Sequence, residues 1–85
     1  HPMTSVNYSL LRSLTARHLV AALEREGFVL ARQSGSHRHY KHPDGRRVTV
    51  TFHHSSDRFR PKTLRSMIEV QARWQWEDLE RLGLV

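Results

Sequence analysis

A chain of 85 residues without cysteine holds one domain and excludes a second core, a disulfide framework and thiolate chemistry. Fourteen Lys and Arg against eight Asp and Glu give a formal charge of +6, with seven histidines besides, a balance that favours a polyanionic partner. No apolar run approaches the ~20 residues of a membrane span, and no charged-then-apolar leader precedes the fold, so a cytoplasmic protein without membrane contact is expected.

His1-Pro2 ahead of Met3 read as a remnant foreign to the fold and enter no argument. Residues 1–14 are expected as a lead-in, with Leu10, Leu11 and Leu14 packing onto the edge of a single domain spanning residues 15–85. Thr15 reads as an N-cap, Ala16, Leu19, Val20 and Leu23 fall at helical spacing, and Gly27 stops a helix over Ala16–Glu26. Phe28 to Gln33 alternates as a strand, with Phe28, Leu30 and Arg32 on one side and Val29, Ala31 and Gln33 on the other. Ser34-Gly35-Ser36 turns the chain into a second strand, His37 to His42. Pro43-Asp44-Gly45 closes a hairpin. In the third strand, Arg46 to His53, Val48, Val50 and Phe52 point to one face and Thr49, Thr51 and His53 to the other.

After a loop from His54 to Pro61, a second helix is expected from about Lys62. It turns Leu64, Met67, Ile68 and Ala72 inward and lays Arg65, Glu69 and Arg73 outside as an i,i+4 ladder. The pattern slips around Trp74-Gln75, and a short third helix follows from Trp76 to Leu82, with Gly83 as its stop. Trp74 and Trp76 at this slip invite a base-stacking reading, against which the reading as packing anchors is favoured. The fold class is α+β in the order α-β-β-β-α-α, a three-stranded antiparallel sheet with helices packed on one face.

The second strand is the unusual one. A strand made only to fill a core alternates apolar and polar residues, yet His37-Arg38-His39-Tyr40-Lys41-His42 offers one aromatic among cations and imidazoles. Imidazole titrates near pH ~6.5 and both takes and gives protons at neutral pH. Basic residues concentrate between Arg32 and Arg65, so this histidine chemistry sits where a phosphodiester would bind.

Several stretches carry a family resemblance: Leu23 through Gly27-Phe28, Arg32-Gln33-Ser34-Gly35-Ser36-His37, Tyr40, His42-Pro43-Asp44-Gly45, Val48-Thr49-Val50, His53 and Thr63-Leu64-Arg65. In this order they resemble the HicA family of bacterial toxins, small ribonucleases with a double-stranded-RNA-binding-like fold, over residues 15 to about 82. The resemblance implies that His37, the histidine of Gly-Ser-His, is catalytic. It also implies that messenger RNA is the substrate and that a HicB-type antitoxin neutralises the toxin. Two positions depart from the family pattern. Thr51 stands where a proline usually lies two residues before the histidine after the third strand, here His53. Lys62 stands where a glycine usually precedes the Thr-Leu pair. Both touch the loop between sheet and second helix; neither touches His37.

Cleaving RNA without a metal takes deprotonation of a 2′-hydroxyl, stabilisation of a crowded phosphorane and protonation of the departing 5′-oxygen. His37 is the candidate base or acid. His39 lies two residues on along the same strand face, and His53 comes near on the third strand, as possible accessories. Arg38, Lys41, Arg46 and Arg47 are candidates to hold phosphate oxygens, Arg38 least, because it points to the face opposite His37. Ser36 is placed to orient the ring or the phosphate. His39 and His42 otherwise read as solvated strand histidines, and His18 as a surface one.

His37 and His39, with His53 or His54, also offer imidazole nitrogens to a zinc ion. Their spacing matches no familiar metal motif and no cysteine helps, so neither metal nor other cofactor is expected. The rival reading is a module that grips double-stranded RNA by shape and charge but cuts nothing.

Overall fold

The computed structural model of the chain describes Leu11 and residues 13–85. Helix α1 (Ala16–Glu26) starts on Thr15, whose extended backbone lets Oγ1 accept the His18 N–H at 3.4 Å. It ends on Gly27 at φ 112°, and the Phe28 N–H then returns to the Leu23 carbonyl at 2.9 Å, the closing bond of a left-handed helix stop. Glycine is required there twice over: a Cβ would also lie 3.1 Å from His42 Nε2.

Strands β1 (Val29–Ser34), β2 (His37–Lys41) and β3 (Arg47–Thr51) form one antiparallel sheet in chain order. The hairpin between β2 and β3 closes because Asp44 Oδ1 accepts the Arg46 N–H at 3.0 Å and His42 Nδ1 accepts the Asp44 N–H at 3.1 Å. Tyr40, Val48 and Val50 turn inward, and all three are buried with Leu19, Leu23, Leu64 and Ile68. Each fully buried large apolar side chain contributes about 1.5–3 kcal/mol over an exposed one. The core also takes in Leu11 and Leu14; Leu10 and the rest of the expected lead-in lie outside the described residues.

Two irregularities separate this fold from the periodic expectation. In β1 the pairing passes from Leu30 opposite Tyr40 to Arg32 opposite His39, so Ala31 is an extra residue in the strand. Helix α2 (Pro61–Arg65) then widens into a π-helical segment, Ser66–Gln71. Leu64, Met67, Ile68 and Ala72 are buried as expected, but the Ala72 N–H bonds the Met67 carbonyl, five residues back, at 2.8 Å. The charged ladder stops short. Arg65 and Glu69 lie 3.9 Å apart, whereas Arg73 has left the helix at φ 57°. That left-handed residue turns the chain into α3 (Trp76–Arg81), where Asp78 Oδ2 accepts the Gln75 N–H at 2.9 Å. Arg81 docks α3 on Glu26 at 2.9 Å.

Candidate active site

Alternation along β2 divides its side chains between two faces. Tyr40 points toward the helices, and so does Arg38. His37, His39 and Lys41 point away, level with Thr51, Thr49 and Arg47 of β3 respectively. Thr51, expected to affect only the loop after the sheet, is thus the last residue of β3 and lies directly beside His37. From β1, Val29 lies beside Lys41, Arg32 beside His39 and Ser34 beside His37. The three strands contain no Asp or Glu. The strands therefore bring cations and imidazoles to this open face and no carboxylate of their own.

The extra residue in β1 shapes this face. Continued regularly from Leu30 opposite Tyr40, Arg32 would fall opposite Arg38 and turn toward the helices. The bulge moves it opposite His39 and onto the open face, the re-aiming that bulges impose. Among the described residues, the side chains of His37, Arg32, Lys41 and Arg47 have no hydrogen-bond or ion-pair partner. His37 is exposed at the first position of β2.

His39 is held differently. Its Nδ1 lies 3.2 Å from Thr49 Oγ1, which fixes the ring. Thr49 is braced in turn, since its N–H donates to Gln71 Oε1 at 2.8 Å while Gln71 Nε2 donates to Ser66 Oγ at 3.0 Å. The π-helical segment thus reaches the sheet behind the second histidine.

Ser36 is half-buried in the turn before His37, and its carbonyl accepts the Phe52 N–H at 3.2 Å. That bond ties the His37 end of β2 to the end of β3, where His53 follows. The His53 N–H and the His54 N–H both donate to Asp57 Oδ2, at 2.9 and 3.1 Å. His53 is exposed and anchored through its backbone at the same end of the sheet as His37.

Arg38 and Arg46 are not brought to this face. The Arg38 guanidinium stacks 4.0 Å from the centre of the Phe52 ring. Arg46 spans three elements: Nε donates to Asp44 Oδ2 at 2.8 Å, Nη1 to the Ala72 carbonyl at 2.7 Å and Nη2 to Glu26 Oε2 at 3.3 Å. Its donors fasten the hairpin to α1 and to the end of the π-helical segment. His42 is also a fastener rather than the solvated histidine expected. Its Nε2 lies 3.1 Å from the Glu26 carbonyl and its ring packs edge-on against Phe28. Among the described residues, no three His, Cys, Asp or Glu side chains gather closely enough to hold a metal ion.

Hydrogen bonds from the backbone of His54 and His53 hold the Asp57 carboxyl below its ordinary value of 3.8. A depressed carboxylate contributes stability above its unfolded value and loses it as pH falls through the folded one. The loop after β3 is therefore expected to keep its shape at neutral pH and to loosen in acid below about 3.8. Thermal unfolding from pH 5 down to 2 checks this. The Asp57→Asn variant should lose less stability over that range than the native chain.

The histidines and cations of the open face, with the strands that carry them, all fall within residues 16–73, which match the family model described as HicA toxin of bacterial toxin-antitoxin. The chain belongs to the HicA family. It is accordingly the toxin component of a toxin-antitoxin system, in a family whose general partner is a HicB-type antitoxin. Comparison with curated proteins gives no match. The HicA match covers α1, the whole sheet, α2 and the π-helical segment, and it ends at the left-handed Arg73. No helix among the described residues is long and apolar enough to cross a membrane.

Arg32 and Thr49 share this face without being among the candidates expected from the sequence. Nothing local marks the bulge that turns Arg32 outward, because Val29-Leu30-Ala31-Arg32 contains neither Gly nor Pro. Thr49 carried a usable signal: it alternates onto the face of His37 and His39 in the clearest strand of the set.

Proposed function

We propose that this HicA toxin is a metal-independent endoribonuclease, acting on messenger RNA in the cytoplasm, with His37 as its proton-transferring residue. The observation that carries the reading is the His37 imidazole, exposed and without a side-chain partner among the described residues, on a face to which the strands bring Arg32, Lys41, Arg47 and His39 and no carboxylate of their own. On that face His37 takes the proton of a 2′-hydroxyl, whose oxygen attacks the adjacent phosphorus. A 2′,3′-cyclic phosphate forms, and the 5′-oxygen leaves with a proton from an acid. Arg32, Lys41 and Arg47 hold the phosphate oxygens and offset the charge that grows on the phosphorane. Ser36 sets the entry of the chain into β2, and His39 and His53 stand as accessory proton carriers. A HicB-type antitoxin silences the toxin by covering this face.

A defined transcript incubated with the chain in excess chelator tests the proposal. Cleavage by the native chain and none by His37→Gln is the expected result. Binding without cleavage by both chains would assign the non-cutting RNA-binding module instead.

The cations are tested by salt. Three phosphate contacts give log K against log salt a slope of about −2 on single-stranded RNA. Replacing Arg32, Lys41 and Arg47 together by glutamine should remove about that much slope, whereas Arg46→Gln should leave it unchanged. Fluorescence anisotropy of a labelled oligonucleotide across a salt series reads both.

A further inference from the structure

The two edges of the sheet are treated differently. At β3 the Thr49 N–H is already taken by the Gln71 side chain, itself pinned to Ser66. At β1, among the described residues, no hydrogen bond outside the β1–β2 ladder reaches a backbone group. All six β1 residues are exposed, Val29 at 62% and Leu30 at 47%. An edge strand turns an N–H and a C=O outward at every second residue, which only another strand matches along its length. Natural edges are usually blunted with Lys, Pro or a bulge. β1 has neither Lys nor Pro, and its bulge at Ala31 limits pairing to a short segment.

We infer that the free edge of β1 docks an extended, acidic segment of a partner protein as a short fourth strand. Charge selects that occupant. On the open face Lys41 is the cross-strand neighbour of Val29 and Arg32 follows it along β1; among the described residues neither cation has a carboxylate partner, and no strand of the sheet supplies one. A second copy fits poorly, since β1 against itself meets only another carboxylate-free strand and brings together two chains of +6. RNA offers no alternating donors and acceptors for the strand edge and gains little from Val29 and Leu30. A protein strand with carboxylates on the open face, toward Arg32 and Lys41, and apolar side chains on the opposite face, beside Leu30, satisfies all three features. The inference is independent of the catalytic reading.

The probe is a blocked heptapeptide of alternating glutamate and valine, titrated into the isotope-labelled chain and followed by NMR. Saturable shifts centred on residues 29–34, with slowed exchange of alternate β1 amides, are expected. The lysine-for-glutamate peptide should bind about tenfold more weakly, because cross-strand charge pairs change sign. A peptide N-methylated on the amides that face β1 keeps its charge and should lose the protection. Equal binding by that peptide, or shifts confined to His37, Lys41 and Arg47, would overturn the inference. So would absence of binding at millimolar peptide, or concentration-dependent protection of β1 without peptide, which would assign the edge to a second copy.

Discussion

Replacing His37 by alanine is expected to slow RNA cleavage by about 10²–10⁴-fold, the range that one positioned acid or base supplies, with the unfolding transition nearly unmoved. The second half follows from the partners of the ring. His37 is exposed, and no hydrogen bond or ion pair among the described residues involves its side chain. Surface changes of that kind usually stay within about 0.5 kcal/mol. His42, five positions on along the same chain, should behave in the opposite way. Its ring bridges the Glu26 carbonyl and the Asp44 N–H and packs on Phe28. Alanine there removes contacts that join α1 to the hairpin, so it should lower the melting temperature while each folded molecule still cleaves. Single-turnover cleavage and thermal unfolding, measured on both variants, separate a histidine that reacts from one that fastens. Unchanged cleavage by His37→Ala would refute its proton-transfer role.

The same contrast marks what the sequence makes legible. Thr15 and Gly27 bound α1 through local chemistry, a side-chain acceptor at one end and a left-handed glycine at the other. Pro43-Asp44-Gly45 places the hairpin, and strict alternation in β3 assigns its two faces. These signals act within a few residues, and the structure follows them. The bulge at Ala31 has no such signal, because it answers the fit of β1 against β2 rather than any preference of its own residues. The π-helical segment is equally hidden. Leu64, Met67, Ile68 and Ala72 suit an α-helical stripe, and only the slip near Trp74 hints that the turn widens. Arg46 and Arg47 look alike in sequence, yet Glu26 and Ala72, brought in from 20 and 26 positions away, claim the first and leave the second for the open face. Among the basic candidates Arg38 faces away from His37 as alternation requires, and Arg46 alone is drawn off the face, by partners too distant in sequence to read locally.

Replacing Trp74 by alanine is expected to cost about 3–5 kcal/mol, as large aromatic truncations in well-packed cores do. Trp74 is 3% exposed and meets Phe28 edge-on, with ring centres 6.4 Å apart at 90°. It directly follows the left-handed Arg73, and its N–H closes the π-helical segment on the Ile68 carbonyl at 2.7 Å. The indole therefore plugs the core where the chain turns into α3. A domain of this size has roughly 4–13 kcal/mol of stability to lose, so the variant should unfold at a much lower urea concentration than the native chain, as titration monitored by circular dichroism would show. Trp74→Phe should recover most of the loss. It keeps an aromatic ring against Phe28, and the indole Nε1 it removes has no hydrogen-bond partner among the described residues. The buried position also decides between packing and base stacking. A ring closed off from solvent cannot stack on an RNA base, so saturating oligonucleotide should leave Trp74 emission unquenched in a Trp76→Phe background. If Trp74→Ala instead melts like the native chain and loses RNA affinity, the ring lies at the binding surface and the packing account fails. Otherwise the two substitutions divide the protein's chemistry from its architecture: His37→Ala folds and cuts about 10²–10⁴-fold more slowly, while Trp74→Ala, cooled until folded, cuts.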